Sequence, residues 1–399
     1  MRPSSEALRV GPFRDHVGEF LRRLRSESYA AKTICQKLYT LAEMSRWSLR
    51  HRASAFDEDL LREFLRDPRR RYRTTRGVAT TGRQIIECLR ASGDLPSSEA
   101  VVQPDGATLI EAAYTTHLRE ERAVADTTAA VYLRLVHPFV LEHLSDGWKG
   151  FAKLDAQGVI RFVVRQARKM TPCYAKLQVT ALRSFLRFAY VQGSTKLDLG
   201  ATVPTIPYWR LTTLPRFIPA EDVRRLVRSC DRRTHGGCRD HAILLLLARL
   251  GLRASEVAHL ELEDIDWEAA ELSVHGKGHR NDRIPLPNDV GRALATYIRH
   301  ARPRCASRHV FMRLQAPVRG LGGTAIAHIV RRAIERVGLR TPSHGAHLLR
   351  HSLATTLLRH GSSLPEIAEL LRHRSLETTM LYAKVDLGAL HRVSPPWPE

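Results

Sequence analysis

His347, Arg350 and His351 stand at i, i+3 and i+4 in Ala346-His347-Leu348-Leu349-Arg350-His351-Ser352-Leu353-Ala354-Thr355. That spacing puts all three on one face of a helix and lets Leu349, Leu353 and Leu357 turn toward a core. One face is therefore polar and a candidate site, although His and Arg on a helix are more commonly a solvated surface. Arg253 follows Gly251 in Leu250-Gly251-Leu252-Arg253-Ala254-Ser255-Glu256-Val257, at the start of another helix whose first backbone donors favour an anion. Lys277 lies in a basic turn, Gly276-Lys277-Gly278-His279-Arg280-Asn281-Asp282, suited to contact with a phosphate backbone. Tyr382 falls in the last helix, where a packed aromatic is the ordinary use. Singly each signal is weak.

The elements that must position these residues follow from punctuation and periodicity. A helix from about 220 to 227 precedes an apolar helix from Asp240 to Leu250, which Gly251 stops. Two short strand-like runs, Glu271 to His275 and Arg283 to Leu286, flank the basic turn as a hairpin. Helices fill the rest: Gly361 closes one, Ser363 and Glu366 form a capping box for the next, and Ser375 caps the last. Upstream, 92–106, rich in Ser, Pro and Gly, and 201–218, punctuated by Pro204, Pro207 and Pro215, read as linkers. They divide the chain into a helical region 1–91, a second helical region 107–200 and a mixed region 219–399. Within the second, Thr171-Pro172 opens a helix that carries Leu177, Ala181, Phe185 and Ala189 on one face. The two helical regions echo one another. Leu24-Arg25-Ser26-Glu27 with Thr33 parallels Leu118-Arg119-Glu120-Glu121 with Thr127, and Phe56-Asp57-Glu58-Asp59-Leu60 parallels Lys153-Leu154-Asp155-Ala156. A duplicated module and the shared composition of amphipathic helices both account for this.

Composition bounds the rest. The chain has 399 residues, 43% hydrophobic and 26% charged, which excludes a mini-protein and wholesale disorder. Lys+Arg 63 against Asp+Glu 41 leaves +22, mostly arginine, so the expected partner is a polyanion: nucleic acid, an anionic membrane surface or an acidic protein. The longest clear apolar run, Ala242 to Ala248, is far short of the ~20 residues that span a bilayer. With no signal-peptide pattern, a cytoplasmic, nucleoid-associated protein is expected. The six cysteines lack CxxC spacing and read as thiols, and Cys230, His235 and Cys238 lack an evident fourth ligand for zinc.

In order and spacing, the segment from about Leu214 to Val385 resembles the catalytic domain of the tyrosine recombinases, the phage-integrase family. The resemblance rests on the runs around Arg253, on Gly276-Lys277-Gly278, on His347-Leu348-Leu349-Arg350-His351, and on Leu370-Leu371-Arg372-His373-Arg374-Ser375 followed by Tyr382. It implies a mainly α fold with a small antiparallel sheet, and a C-shaped clamp formed on double-stranded DNA by a helical core-binding domain and an α+β catalytic domain. It also implies that Arg253 and Arg350 grip the scissile phosphate with His347 and His373, and that Tyr382 is the nucleophile of a 3′-phosphotyrosyl intermediate. His347 would accept the phenolic proton and Lys277 would protonate the leaving 5′-oxygen. Glu256 and His351 would support from behind, with no metal, ATP or other cofactor.

Two further implications concern assembly: a homotetramer on two DNA sites, and docking of the segment after Tyr382, with Trp397, on a neighbouring protomer. Accessory or directionality proteins are expected partners and a membrane is not. The chain departs from the family pattern at Arg372, where glycine is usual; a helical setting is expected to tolerate it. A catalytically silent DNA-binding regulator and a relaxing topoisomerase of the type IB kind are the competing functions.

Overall fold

The computed structural model describes residues 12–53, 56–67, 75–95, 105–207, 216–276, 280–341, 343–373 and 375–383. Lys277 with the rest of the turn tip 277–279, Arg374, and everything after Ala383, Trp397 included, lie outside the described residues. The chain divides into two compact units, 96–212 and a unit made of 1–95 together with 213–399. Among the described residues no helix is long and apolar enough to cross a membrane.

The first unit begins with four helices, α1 (Val17–Ser26), α2 (Ala31–Arg50), α3 (Glu58–Arg66) and α4 (Thr75–Ala91). They close over a core of their own that includes Phe20, Leu24, Leu41, Trp47, Phe64 and Ile85. Among the described residues of the unit 96–212 are four α-helices, α5 (Gly106–Thr116), α6 (Asp126–His143), α7 (Ala156–Ala167) and α8 (Pro172–Val191). Asp105 and Asp155 cap α5 and α7 by accepting from the Thr108 and Gly158 amides, at 2.8 and 2.7 Å. Phe139 packs edge-on against Phe162 and Tyr114 against Phe185, with ring centroids 5.0 and 5.2 Å apart.

In 213–399, α9 (Ala220–Arg228) leads to α10 (His235–Arg249), whose Ala242 to Leu247 are all buried. Burial on every side makes α10 the axis of the core, and each leucine there contributes about 1.5–3 kcal/mol. Gly251 ends this stretch at φ +58, where an added Cβ would lie 2.6 Å from the Leu371 side chain. Only glycine meets both demands, a left-handed backbone and no side chain. The turn delivers the chain into α11 (Ala254–His259).

A three-stranded antiparallel sheet follows, β1 (Ile265–Asp266), β2 (Glu271–Gly276) and β3 (Arg280–Pro285), in the order β1-β2-β3. The hairpin differs from its sequence reading. Pairing runs from Glu271↔Pro285 to Gly276↔Arg280, so β3 starts three residues earlier and only 277–279 connect the strands. The polar run 280–282 hides this strand from a hydrophobicity pattern, because backbone pairing on an exposed face needs no apolar side chain. His275 fastens the same region, with its ring nitrogens 2.7 Å from Asn281 Oδ1 and Asp264 Oδ1.

Five α-helices follow among the described residues: α12 (Asn288–His300), α13 (Gly323–Val337), α14 (His347–Arg359), α15 (Leu364–Leu370) and α16 (Leu376–Ala383). Ser363 and Glu366 form the expected capping box at α15. Along α14, Leu348 and Leu349 enter the main core, while Ala354 joins Ile367, Leu371 and Tyr382 in a smaller cluster. The last three helices therefore share one small core of their own, with Tyr382 inside it.

Candidate active site

The turn after α10, the first turn of α14 and the turn between α15 and α16 converge, and Arg350 ties them together. Its residue is 3% exposed, and its guanidinium donates to the carbonyls of Gly251 and Leu371. Two of five N–H donors are thereby used on the protein itself. Burial, and then the charge of Arg253, push its pKa down to about 10. The charged form is under-compensated where it sits, which is the electrostatic signature of a site built for an anion.

Arg253 caps the start of α11 in extended backbone. Its amide donates to Glu256 Oε2 at 2.8 Å and its guanidinium to Glu256 Oε1 at 2.5 Å. The Glu256 side chain is 2% exposed and also receives Arg372 at 2.9 Å. Burial would raise the Glu256 pKa, but the Arg253 amide and the Arg372 and Arg253 charges outweigh it and hold it below the usual range. One buried carboxylate thus aligns two guanidiniums.

Arg372 corrects the sequence reading. It lies not on a helix but in the turn after α15, at φ +53, the left-handed region that explains glycine at this place in the family pattern. Arginine accepts that strain and spends its guanidinium on Glu256. Arg372→Ala keeps the strain and loses the ion pair, whereas Arg372→Gly loses the pair but also relieves the strain. We expect the glycine variant to be more stable than the alanine variant by about 1 kcal/mol. Equal denaturation midpoints for the two would contradict the strain argument.

Tyr382 is 1% exposed, and its hydroxyl lies 2.7 Å from His351 Nδ1. Burial drives its pKa up to about 12, against the opposing pull of Arg350. The imidazole on the phenol is therefore that of His351, not of His347 as the sequence suggested. The two histidines are one helical turn apart with ring centroids at 6.3 Å, and only the second turn of α14 reaches α16. His347 is exposed, its pKa lowered by desolvation and then by Arg350 and Arg253. His373 completes the group. Its ring lies nearly parallel to that of Tyr382, centroids 6.5 Å apart, and its Nδ1 is 2.7 Å from the hydroxyl of fully buried Thr379.

Burial, with His347 and Arg350 beside it, pushes the His351 pKa down to about 4; burial, with Arg350 and Arg253, does the same for His373. Both rings are neutral at pH 7, so His351 Nδ1 can accept from the phenolic O–H in the tautomer protonated at Nε2. A histidine whose folded pKa is depressed contributes stability above its unfolded value near 6.5 and loses it as pH falls toward 4. Unfolding free energy should thus decline as pH falls through that window. In His351→Gln/His373→Gln the decline should be shallower, and denaturant melts with an unchanged pH slope would refute the assignment.

Of the expected residues, the structure brings Arg253, Glu256, His347, Arg350, His351, His373 and Tyr382 into one region, and Lys277 falls outside the described residues. Thr379, which holds His373, and the ion pair of Arg372 escaped the sequence reading. Ser352 did too; its hydroxyl accepts from the Ile218 amide at 3.0 Å and moors the chain entering this region. A buried Ser or Thr among apolar helix positions was the available signal for both hydroxyls.

A buried phenol on an imidazole, beside a buried arginine that donates to two carbonyls, is an arrangement suited to the chemistry of a phosphate ester. Similarity to known proteins narrows this. Residues 216–387 match the phage integrase family. The chain is 48% identical over 287 residues to y4rA of Sinorhizobium fredii, named as a candidate integrase/recombinase, covering 72% of this chain and 70% of the relative. It is 32% identical over 297 residues to the tyrosine recombinase XerD of Mycobacterium tuberculosis, covering 70% and 94%. Among solved structures, XerH recombinase in a post-cleavage complex with palindromic difH aligns at TM-score 0.55 and 18% identity, over 78% of this chain and 93% of that one. A lambda integrase tetramer bound to a Holliday junction aligns at 0.52 and 17%, over 73% and 87%. The chain belongs to the phage integrase family of tyrosine recombinases.

Proposed function

We propose that this protein is a site-specific DNA recombinase that cuts and rejoins duplex DNA through a 3′-phosphotyrosyl intermediate and serves integration or transposition of a mobile element. The observation that carries the reading is the Tyr382 to His351 contact beside Arg350. A phenol near pKa 12 is a poor nucleophile while it is buried and neutral. A scissile phosphate takes the donors that Arg350 does not spend on carbonyls and that Arg253 does not spend on Glu256, and those guanidiniums stabilise the charge that builds on its non-bridging oxygens during in-line attack. His351 accepts the phenolic proton as the Tyr382 oxygen bonds to phosphorus. The 5′-oxygen leaves with a proton, for which Lys277 is the proposed donor. His347 and His373 flank the phosphate.

Because one phosphoester replaces another, the reverse attack by a 5′-hydroxyl restores the DNA backbone with neither ATP nor metal. The near-complete burial of Tyr382 and Arg350 means that DNA must open the α14–α16 cluster before attack. The DNA-bound neighbours support duplex DNA as substrate, and the tetrameric lambda integrase complex supports a homotetramer on two sites. The S. fredii relative, named an integrase/recombinase, supports a recombinase over a relaxing topoisomerase.

The test is recovery of DNA covalently attached to the protein in its host, with sequencing of the attachment points. Adducts should carry a free 5′-hydroxyl that kinase can label and map to recurring boundary sequences, and the purified protein should form them on that DNA in excess EDTA. Adducts linked through the 5′-phosphate would overturn the polarity, and scattered attachment would favour a topoisomerase.

A further inference from the structure

Buried positions of α1, α3 and α4 repeat those of α5, α7 and α8, and a few outward positions of α4 repeat those of α8. Phe20 and Leu24 of α1 correspond to Tyr114 and Leu118, all four fully buried, at an offset of 94. Leu61 and Phe64 of α3 correspond to Val159 and Phe162 of α7 at an offset of 98, again all buried. Both of these third helices open on an aspartate, with Asp57 accepting from the Leu60 amide at 2.9 Å as Asp155 does from Gly158. In the fourth helices the offset is 100: Ile85, Ile86, Cys88 and Leu89 match Phe185, Leu186, Phe188 and Ala189, every one buried.

The stops agree as well. Gly93 and Gly193 are left-handed at φ 84 and 72. Ser92 and Asp94 donate to the carbonyls of Cys88 and Leu89, as Gln192 and Ser194 donate to those of Phe188 and Ala189. The offset changes only between helices, where insertions are tolerated.

A four-helix core must repeat its buried positions to repeat its fold; nothing in folding demands that the outward side repeat. Yet at the same offset Thr80 stands for Thr180 and Arg83 for Arg183, and in the sequence Arg76 takes the place of Lys176. Thr80 and Arg83 are exposed. In α8 the corresponding side borders an open concavity of about 510 Å³, lined by Arg122, Thr180, Arg183, Ser184 and Arg187. One terminal nitrogen of Arg183 is held by the Val203 carbonyl and the Thr205 hydroxyl, each at 2.8 Å, which leaves the rest of its donor fork to an anion. Guanidinium with threonine hydroxyls on one helix side is chemistry for a sugar-phosphate backbone.

We propose that residues 12–95 are a second copy of the core-binding module and contact duplex DNA through the outward side of α4. Full-length recombinase therefore covers more DNA than one core-binding module and one catalytic domain require. This rests on the reading of α5–α8 as a DNA-binding module, and the test separates the two.

Full-length wild type, Arg83→Glu and Arg187→Glu are compared for binding to a fluorescein-labelled random-sequence duplex long enough for both modules, across a salt series. Each phosphate contact adds about 0.9 to the slope of log affinity against log salt, so each variant should lower the slope by about 1. Hydroxyl-radical footprints should also contract at one end in Arg83→Glu. Both substitutions are at exposed helix positions, and unchanged thermal melts confirm folding. If Arg187→Glu lowers the slope while Arg83→Glu matches wild type in slope and footprint, the second module does not contact DNA and the inference fails alone. If neither changes the slope, α5–α8 is not a DNA-binding module and the inference falls with it.

Discussion

Tyr382→Phe should form no covalent DNA adduct and no recombinant product, while its DNA affinity stays within about twofold of wild type. Removing a nucleophile from an otherwise intact site lowers the chemical rate by at least about 10⁴-fold. Affinity persists because Tyr382, 1% exposed, cannot contribute to the electrostatic contacts that dominate DNA binding. Stability falls only modestly: phenylalanine fills the same space among Ala354, Ile367 and Leu371, and the loss is one hydrogen bond to His351, worth about 1 kcal/mol. Attachment at wild-type level in Tyr382→Phe would transfer the nucleophile elsewhere. Loss of DNA binding would instead mean that Tyr382 organises the last three helices and is more than a reagent.

The fold was largely legible because its punctuation is local. Gly251 after an apolar helix, Ser363 with Glu366, and Thr171-Pro172 each act within one turn of chain. The hairpin was misread at 280–282 because an exposed polar strand shows no period of its own. The site was legible in its residue types and not in its pairings. The Tyr382 to His351 contact spans 31 positions and the Arg372 to Glu256 contact 116. No helical spacing encodes either, so of two histidines one turn apart on α14, the packing of α16 alone selects His351. Arg372 was misjudged for a related reason: that turn needs a left-handed residue at position 372, which an arginine does not announce. The echo between the two helical regions gained weight only when burial could be compared position by position, since few identities survive while buried positions of α1, α3 and α4 match those of α5, α7 and α8.

Arg350→Lys should lower cleavage by about 10³ to 10⁵-fold, the scale of an arginine that stabilises a phosphoryl transition state, with DNA affinity changed only a few-fold. A charge remains in this variant, so the loss measures geometry. Arg350 reaches two carbonyls from different turns, Gly251 and Leu371, and keeps donors for a phosphate. A single ammonium cannot span the two carbonyls and present a planar fork as well. Whichever carbonyl it abandons is left buried without a donor, which costs about 1–3 kcal/mol, so the variant should also melt earlier than wild type. Phosphate analogues discriminate the two roles. If Arg350 awaits an anion, vanadate or a short cleavage-site duplex should raise the melting temperature of wild type more than that of Arg350→Lys. Cleavage near the wild-type rate in Arg350→Lys, with an unchanged melt, would make Arg350 an ordinary structural cation and pass the phosphate to Arg253 alone. That outcome is hard to reconcile with a guanidinium 3% exposed whose pKa is driven down to about 10 by burial and by Arg253, because a purely structural role carries no reason to bury a charge short of its counter-ion.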